Sequence, residues 1–303
     1  MRIYFFGTHD FAKHILSALI ADENIEIVGV VTQPDRPAGR KNILQASPVK
    51  LLAEQHNLQI FQPETLKHFE ITDTIDIGVV AQYGNLIPKR LLDHPRLGMI
   101  NVHTSLLPTY RGASPIQTAL INGDTTTGVT IMTMDVGLDT GDILKQQEIA
   151  IDSDWVYSDL DNALATISAP LLLDVLHQII SGTIIAKKQD DTLATHCAQL
   201  TRDSGMINWD NSAETIYNQY RGLTPWPGIW TMWQGKRLKL LKISKISETH
   251  DRANVLCAND QIIVGTSQGS IVLHTVQLEG KASMDSKVFI SGYKEFCTAK
   301  LGK

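Results

Sequence analysis

The sequence predicts two domains of different class: an α/β domain with a mostly parallel sheet, then a small β-barrel domain of the OB-like kind that oligonucleotide binders use. Strand-like and helix-like segments alternate up to about residue 180, as they do where helices cover a parallel sheet. The strands include unbroken apolar and β-branched runs, the pattern of burial on both faces. Beyond residue 205 the chain changes to short β-rich runs punctuated by Gly, Asn and Asp.

Taken in order, residues 2–6 are a short apolar run ended by Gly7, and residues 11–21 place Phe11, Ile15, Ala18 and Leu19 on one helical face. Residues 25–31 are a β-branched run, hence a second buried strand. Ser47-Pro48 is an N-cap followed by proline at the first helical position, opening a helix over 49–56. Residues 75–80, 99–102 and 129–134 read as further strands. Over 159–180, Leu160, Leu164, Ile167, Leu171, Val175 and Ile179 recur at helical spacing. Periodicity is lost over 183–204, where Lys187-Lys188-Gln189-Asp190-Asp191 is typical. The expected organisation is a first domain at 1–184, a linker at 185–204 and a second domain at 205–303. In the last, residues 213–220 read as a helix and 237–243, 261–264 and 270–276 as strands.

At 303 residues the chain is long enough for two cores, and 43% hydrophobic with 19% charged residues is the composition of a soluble globular protein. No apolar run approaches the roughly 18 residues of a membrane span. The apolar start is too short for a secretory leader, whose core needs roughly 7–15 residues. A cytoplasmic protein with no membrane partner is expected. Cys197, Cys257 and Cys297 stand far apart without C-x-x-C spacing, so reduced thiols are expected rather than a disulfide framework or a zinc site. The net charge of −5 hides a split, with 15 Lys and Arg against 24 Asp and Glu in residues 1–204 and 12 against 8 in residues 205–303. A basic second domain behind an acidic first one points to a polyanionic partner for the second.

Several chemistries are absent. The turn Gly7-Thr8-His9-Asp10-Phe11 is not G-x-G-x-x-G, and no Walker A run, H-E-x-x-H or calcium loop occurs. Gly265-Thr266-Ser267-Gln268-Gly269 fits G-x-S-x-G, but that serine elbow requires a strand followed by a helix. Both flanks here read as strands, so a β-turn is predicted.

The densest cluster of functional residue types runs from Gly98 to Pro108. Asn101 and His103 are two apart at a strand end and point to the same side of the sheet. Ligands of open α/β sheets sit beyond the carboxyl ends of the strands. An amide and an imidazole there can both donate to one oxygen, which suits a carbonyl that becomes an oxyanion during acyl transfer. Asp139, flanked by Gly137 and Gly141 in a loop after another strand, is the natural acid to orient or charge the histidine. Asp135 and Asp142 read as solvated or capping residues.

Asn-x-His-x-Ser-Leu-Leu-Pro-x-x-Arg-Gly from Asn101 to Gly112, followed by Leu138-Asp139-Thr140-Gly141-Asp142, resembles the folate-dependent formyltransferase family. The resemblance implies a Rossmann-like catalytic domain in which Asn101, His103 and Asp139 act together, without a metal. It implies 10-formyltetrahydrofolate as the formyl donor, lined by the loop Ser105, Leu106, Leu107 and Pro108 and by Arg111-Gly112 after it. Residues 32–40, 47–50, 205–209 and 221–227 resemble the members that formylate the methionine amine of initiator methionyl-tRNA for translation initiation, so the likeness covers nearly the whole chain. Physically, the connection from Thr32 to Ala46 is long against a typical ~4–6 residues and carries Arg36, Arg40 and Lys41, able to reach phosphates or base edges. In the family this loop approaches the acceptor stem, and Arg40 is the leading candidate. Lys236, Arg237 and Lys239 form a basic strand region with Arg237 and Lys239 on one face. They are candidate phosphate contacts, or else a solvated edge that discourages aggregation. A monomer is expected. Rival readings are a formyltransferase for amino sugars or nucleotides, a formyl-folate hydrolase module, or an RNA-binding protein without catalysis. The first two leave the arginine-bearing loop and the basic domain unexplained; the complete Asn101, His103 and Asp139 set argues against the last.

Overall fold

Ile3, Tyr4, Phe5 and Phe6 are each 0–1% exposed, so the first apolar run is covered on both faces, and it forms an inner strand of a seven-stranded sheet. The computed structural model describes residues 1–38 and 43–302, the side chain of Ala38 excepted. The chain divides into two compact units. The first comprises Met1–Pro115, Thr126–Ala150 and Asp161–Ala198; the second takes Ile116–Thr125, Ile151–Leu160 and the chain from Gln199 onward.

The elements of the first unit begin with β1 (Arg2–Gly7), α1 (Asp10–Ala21), β2 (Glu26–Val31), β3 (Arg36–Ala38) and β4 (Ile43–Gln45). Next come α2 (Pro48–Gln55), β5 (Ile60–Phe61), β6 (Ile77–Ala81), α3 (Lys89–Leu92), β7 (Met99–His103) and β8 (Arg111–Gly112). Then follow α4 (Pro115–Asn122, almost all in the second unit), β9 (Thr126–Thr133), β10 (Ile143–Ala150), α5 (Tyr157–Ser181) and β11 (His196–Cys197). The sheet order is β10-β9-β7-β6-β1-β2-β5. From β7 to β5 every pairing is parallel, whereas β9 runs antiparallel to both β7 and β10. The chain leaves β1 toward β2 on one side and later returns to β6 on the other, which makes the crevice beyond Gly7 and Ala81 a topological switch point. His103 ends the next strand along.

Helix α2 starts as its sequence dictates: the Ser47 side chain accepts from Lys50 N–H at 3.0 Å, and Pro48 occupies the first turn. By length and composition α5 is apolar enough to cross a membrane. Its Leu160, Leu164, Leu172, Val175 and Leu176 are buried in the protein, and it carries Asp161 and Asp174, as a core helix does. Helix α4 and strand β10 have no signature in the local sequence pattern. The residues 147–149 of β10 are polar or only partly covered, so no apolar pattern announces this edge strand.

The second unit contains α6 (Ala213–Leu223), β12 (Ile229–Trp233), β13 (Lys236–Ile246), β14 (Val255–Ala258), β15 (Gln261–Gly265), β16 (Ser270–Leu278), β17 (Met284–Asp285) and α7 (Ser286–Gly292). Its sheet is antiparallel, ordered β12-β13-β16-β15-β14, with β17 on β16. Two register shifts in β13, around Lys242, bend that long strand. Trp233 packs edge-on against Phe289, Tyr293 and Phe296 with ring centroids 5.0–6.0 Å apart. The expected α/β class with a mostly parallel sheet is the one the chain adopts, and where the sequence predicts a small β-barrel of the OB-like kind the second unit holds this antiparallel sheet. Gly265 and Ser270 pair across a strand–turn–strand hairpin, so the G-x-S-x-G match is a turn and no nucleophile elbow.

The expectation of three reduced thiols is corrected by the structure. Cys257 on β14 and Cys297 in the turn 294–298 form a disulfide, their Cα atoms 5.1 Å apart, while Cys197 is a buried thiol outside that bond. Forty residues separate the pair, so only the tertiary fold brings them together.

Candidate active site

The site is built at the end of β7. Asn101 and His103 follow one another on the same face of that strand, between Val80 on β6 and Met132 and Thr130 on β9. His103 is buried, and its Nε2 lies 3.0 Å from the carbonyl oxygen of Tyr110. A carbonyl only accepts, so Nε2 carries the proton and the other ring nitrogen, Nδ1, is left for chemistry. Nδ1 stands 3.7 Å from Asp139 Oδ2. The Asn101 side-chain amide makes no hydrogen bond among the described residues. It is therefore open to a ligand.

Asp139 reaches the histidine from the loop between β9 and β10. Its φ is +54°, a left-handed conformation that few residues other than glycine adopt. The carboxylate accepts from Gly112 N–H at 2.8 Å. Asp135 closes the start of the loop by accepting from Gly137 N–H and the Thr140 hydroxyl, so it caps. Gly141 can be nothing else: a Cβ there would lie 1.8 Å from Thr133 O. Gly112 is equally constrained, with φ +126° and Cys197 O 2.2 Å from a Cβ position. Tyr110, whose carbonyl receives the histidine, is a second non-glycine residue at positive φ, +60°. Two such outliers beside one histidine are the kind of stored strain that clusters at active sites.

The loop after β7 is fixed from the neighbouring strand. Thr130 on β9 is fully buried; its hydroxyl donates to Ser105 O at 2.7 Å and accepts from Leu107 N–H at 3.0 Å and Gln146 Nε2 at 2.9 Å. The Ser105 hydroxyl donates to Thr109 O at 2.5 Å, and Leu107 packs inward with Met132 and Ile143. Ser105 and Leu107 thus build the loop, while Leu106 and Pro108 stay half-buried at its surface. Thr130→Val keeps the shape but removes all three bonds. It is expected to cost about 2–4 kcal/mol in a urea melt, and wild-type stability would show that the loop does not depend on this hydroxyl.

What lies behind the loop is not legible in the local sequence. Arg111, 4% exposed, does not face the crevice but donates through Nε and Nη2 to Gln189 Oε1 at 3.0 and 2.8 Å, and to Asp191 at 2.7 Å. Residues 185–198 of the non-periodic stretch lie with the first unit. Lys187 and Ile143 exchange backbone hydrogen bonds, and β11 pairs with β8. No local pattern announces contacts across 78 or 80 residues.

The basic residues are distributed differently. At the start of the connection after β2, Asp35 binds Lys50 and Gln62, each at 2.7 Å, and these two hold its carboxyl below the usual carboxylate range. Thr32 and Ser47 bond to each other across the two ends of the connection at 2.7 Å. Arg36, on β3, which pairs antiparallel with β4, is exposed and 3.5 Å from Glu64. Arg40 and Lys41 lie outside the described residues. In the second unit Lys236 is exposed, and Arg237 and Lys239 alternate with buried Leu238 and Leu240, hence share the outer face of β13. The Arg237 guanidinium lies 4.0 Å over the Trp230 ring. With Met232, Lys239, Gln277 and Glu279 it lines a groove of about 450 Å3. Among the described residues no group of three or more His, Cys, Asp or Glu is placed to hold a metal ion.

Residues 1–176 match the formyl transferase family, and residues 199–294 match the formyl transferase C-terminal domain. The methionyl-tRNA formyltransferase of Geotalea daltonii is 42% identical over 308 residues, covering 100% of this chain and 98% of the relative. That of Caldicellulosiruptor saccharolyticus is 44% identical over 305 residues, 97% of each. Among solved structures, a sugar 3N-formyl transferase, crystallised with dTDP and 5-N-formyl-THF, superposes with a TM-score of 0.67 at 18% identity, over 93% of this chain and 99% of its own. An N-formyltransferase from Helicobacter canadensis gives 0.67 at 17% identity, over 89% and 98%. At that distance the two structures speak for the fold alone. Family match and full-length identity agree with the site: the chain belongs to the formyltransferase family, among the methionyl-tRNA formyltransferases.

Proposed function

We propose that this chain transfers the formyl group of 10-formyltetrahydrofolate to the α-amine of methionine on initiator methionyl-tRNA. The observation that carries the reading is the meeting of an open Asn101 amide, His103 Nδ1 and the Asp139 carboxylate at the end of β7. The neutral amine attacks the formyl carbon, forming the new C–N bond and a tetrahedral oxyanion. Asn101 and the Nδ1–H of a doubly protonated His103 donate to that oxygen. Asp139, directly or through water, accepts the amine proton and passes it to the folate nitrogen as the old C–N bond breaks. Leu106 and Pro108 line the folate, with Ser105 and Leu107 as their inward-packed support.

The catalytic role is assigned to the first unit, which takes in residues 185–198 of the stretch read as a linker, and tRNA binding to residues 205–303. Arg36, Arg40 and Lys41 on the connection after β2, and Lys236, Arg237 and Lys239 on β13, are assigned to tRNA phosphates and acceptor-stem edges. The excess of positive charge in residues 205–303 supports that assignment. The protein acts as a monomer in the cytoplasm, where charged initiator tRNA is used. The test offers two acceptors with the same donor: charged initiator tRNA and a dTDP-linked amino sugar. Formyl label in the aminoacyl-tRNA alone is the expected result. Label in the sugar alone would move the chain to the sugar-modifying branch.

A further inference from the structure

We propose that Gln189 is a positioning residue for the transfer reaction: it clamps the Asp139 loop so that the carboxylate faces His103. The inference rests on the role given to Asp139 above and adds a residue from the non-periodic stretch. The Gln189 amide uses its full capacity. Its Oε1 accepts two N–H groups of the buried Arg111, and its Nε2 donates to the carbonyl oxygens of Asp139 and Gly141, each at 2.8 Å. The orientation is unambiguous, because a flipped amide would set NH2 against a guanidinium and oxygen against two carbonyls. Its neighbours Lys187, Lys188 and Asp190 are exposed, whereas Gln189 is half-buried.

The two carbonyls flank the turn that needs holding. Asp139 sits at φ +54°, an unfavourable place for a side-chain-bearing residue, so the conformation persists only if its surroundings fix it. On the other side, the carboxylate accepts one hydrogen bond among the described residues, from Gly112 N–H, and the gap to His103 Nδ1 of 3.7 Å exceeds a hydrogen bond. The bonds from Gln189 therefore set the backbone from which the carboxylate projects. Arg111, anchored also by Asp191, sets Gln189. A misplacement of about 1 Å at reacting groups costs on the order of 10²-fold in rate.

Two variants separate clamping from mere support. Gln189→Glu keeps an oxygen for Arg111 and turns a donor into an acceptor facing the two carbonyls; Gln189→Met keeps the length without polarity. Both are expected to lower kcat by about 10–10²-fold, with KM for donor and tRNA within about threefold and the melting temperature of Gln189→Glu close to wild type. In an Asp139→Asn background the same changes should cost less than about threefold, since the group they position is already gone. Amide exchange at Gly112, read by NMR without substrate, should speed up in both variants as the carboxylate leaves it. Wild-type kcat in both variants, an undiminished loss in the Asp139→Asn background, or unchanged Gly112 exchange would overturn the clamp. If the wild-type protein formylated no methionyl-tRNA, the functional reading would fall by itself, and Gly112 exchange would still decide the clamp.

Discussion

Asn101→Ala should lower kcat for formyl transfer by about 10²–10³-fold while the Kd for charged tRNA stays within about twofold. That is the loss seen when one preorganised oxyanion donor is removed. Asn101 is held by its strand between β6 and β9, so truncation leaves the site's shape intact, and its amide satisfies no described protein group whose loss would unsettle the fold. An interaction made only in the transition state lowers kcat and kcat/KM together, and that is the pattern to look for. Weaker tRNA binding equal to the rate loss would instead make Asn101 a substrate-binding residue.

His103→Gln should cost more, about 10²–10⁴-fold in kcat, the range for a proton-bearing catalytic group. The substitution is chosen for its geometry. The glutamine amide nitrogen can take the place of Nε2 and keep the bond to Tyr110 O, while nothing replaces Nδ1 opposite Asp139. Loop structure and stability should therefore survive, and a melting curve run beside the kinetics checks it. Near-wild-type turnover would mean that Nδ1 takes no part in the reaction.

Much of the first unit is legible in the sequence because its strands are buried on both faces. The run 2–6 and the β-branched run before Thr32 can be little else, and Ser47-Pro48 announces its helix through local hydrogen bonding alone. Asn101, His103 and Asp139 are legible as residue types set at strand ends and in a glycine-flanked loop. What local pattern cannot carry is order imposed from afar. Residues 185–198 have no amphipathic period because loop-to-loop hydrogen bonds, from Lys187 to Ile143 and from Arg111 and Tyr110 to Thr195, fix them. Gln189, in a run of charged residues, looks like solvent-facing linker until the fold sets it against Arg111 and the Asp139 turn. The Cys257–Cys297 bond is hidden for the same reason. The side chains of Ser105 and Leu107 fall inside their loop because Thr130, far along the chain, supplies the anchor.

The most direct test of the proposed activity is a single-turnover measurement of formyl transfer from 10-formyltetrahydrofolate to charged initiator tRNA, run beside charged elongator methionyl-tRNA. The initiator should be formylated at least about tenfold faster, the discrimination that one well-placed contact to a base edge provides. Equal rates on both would contradict selection of the initiator, and no transfer to either, with folate still bound, would contradict methionyl-tRNA as the acceptor.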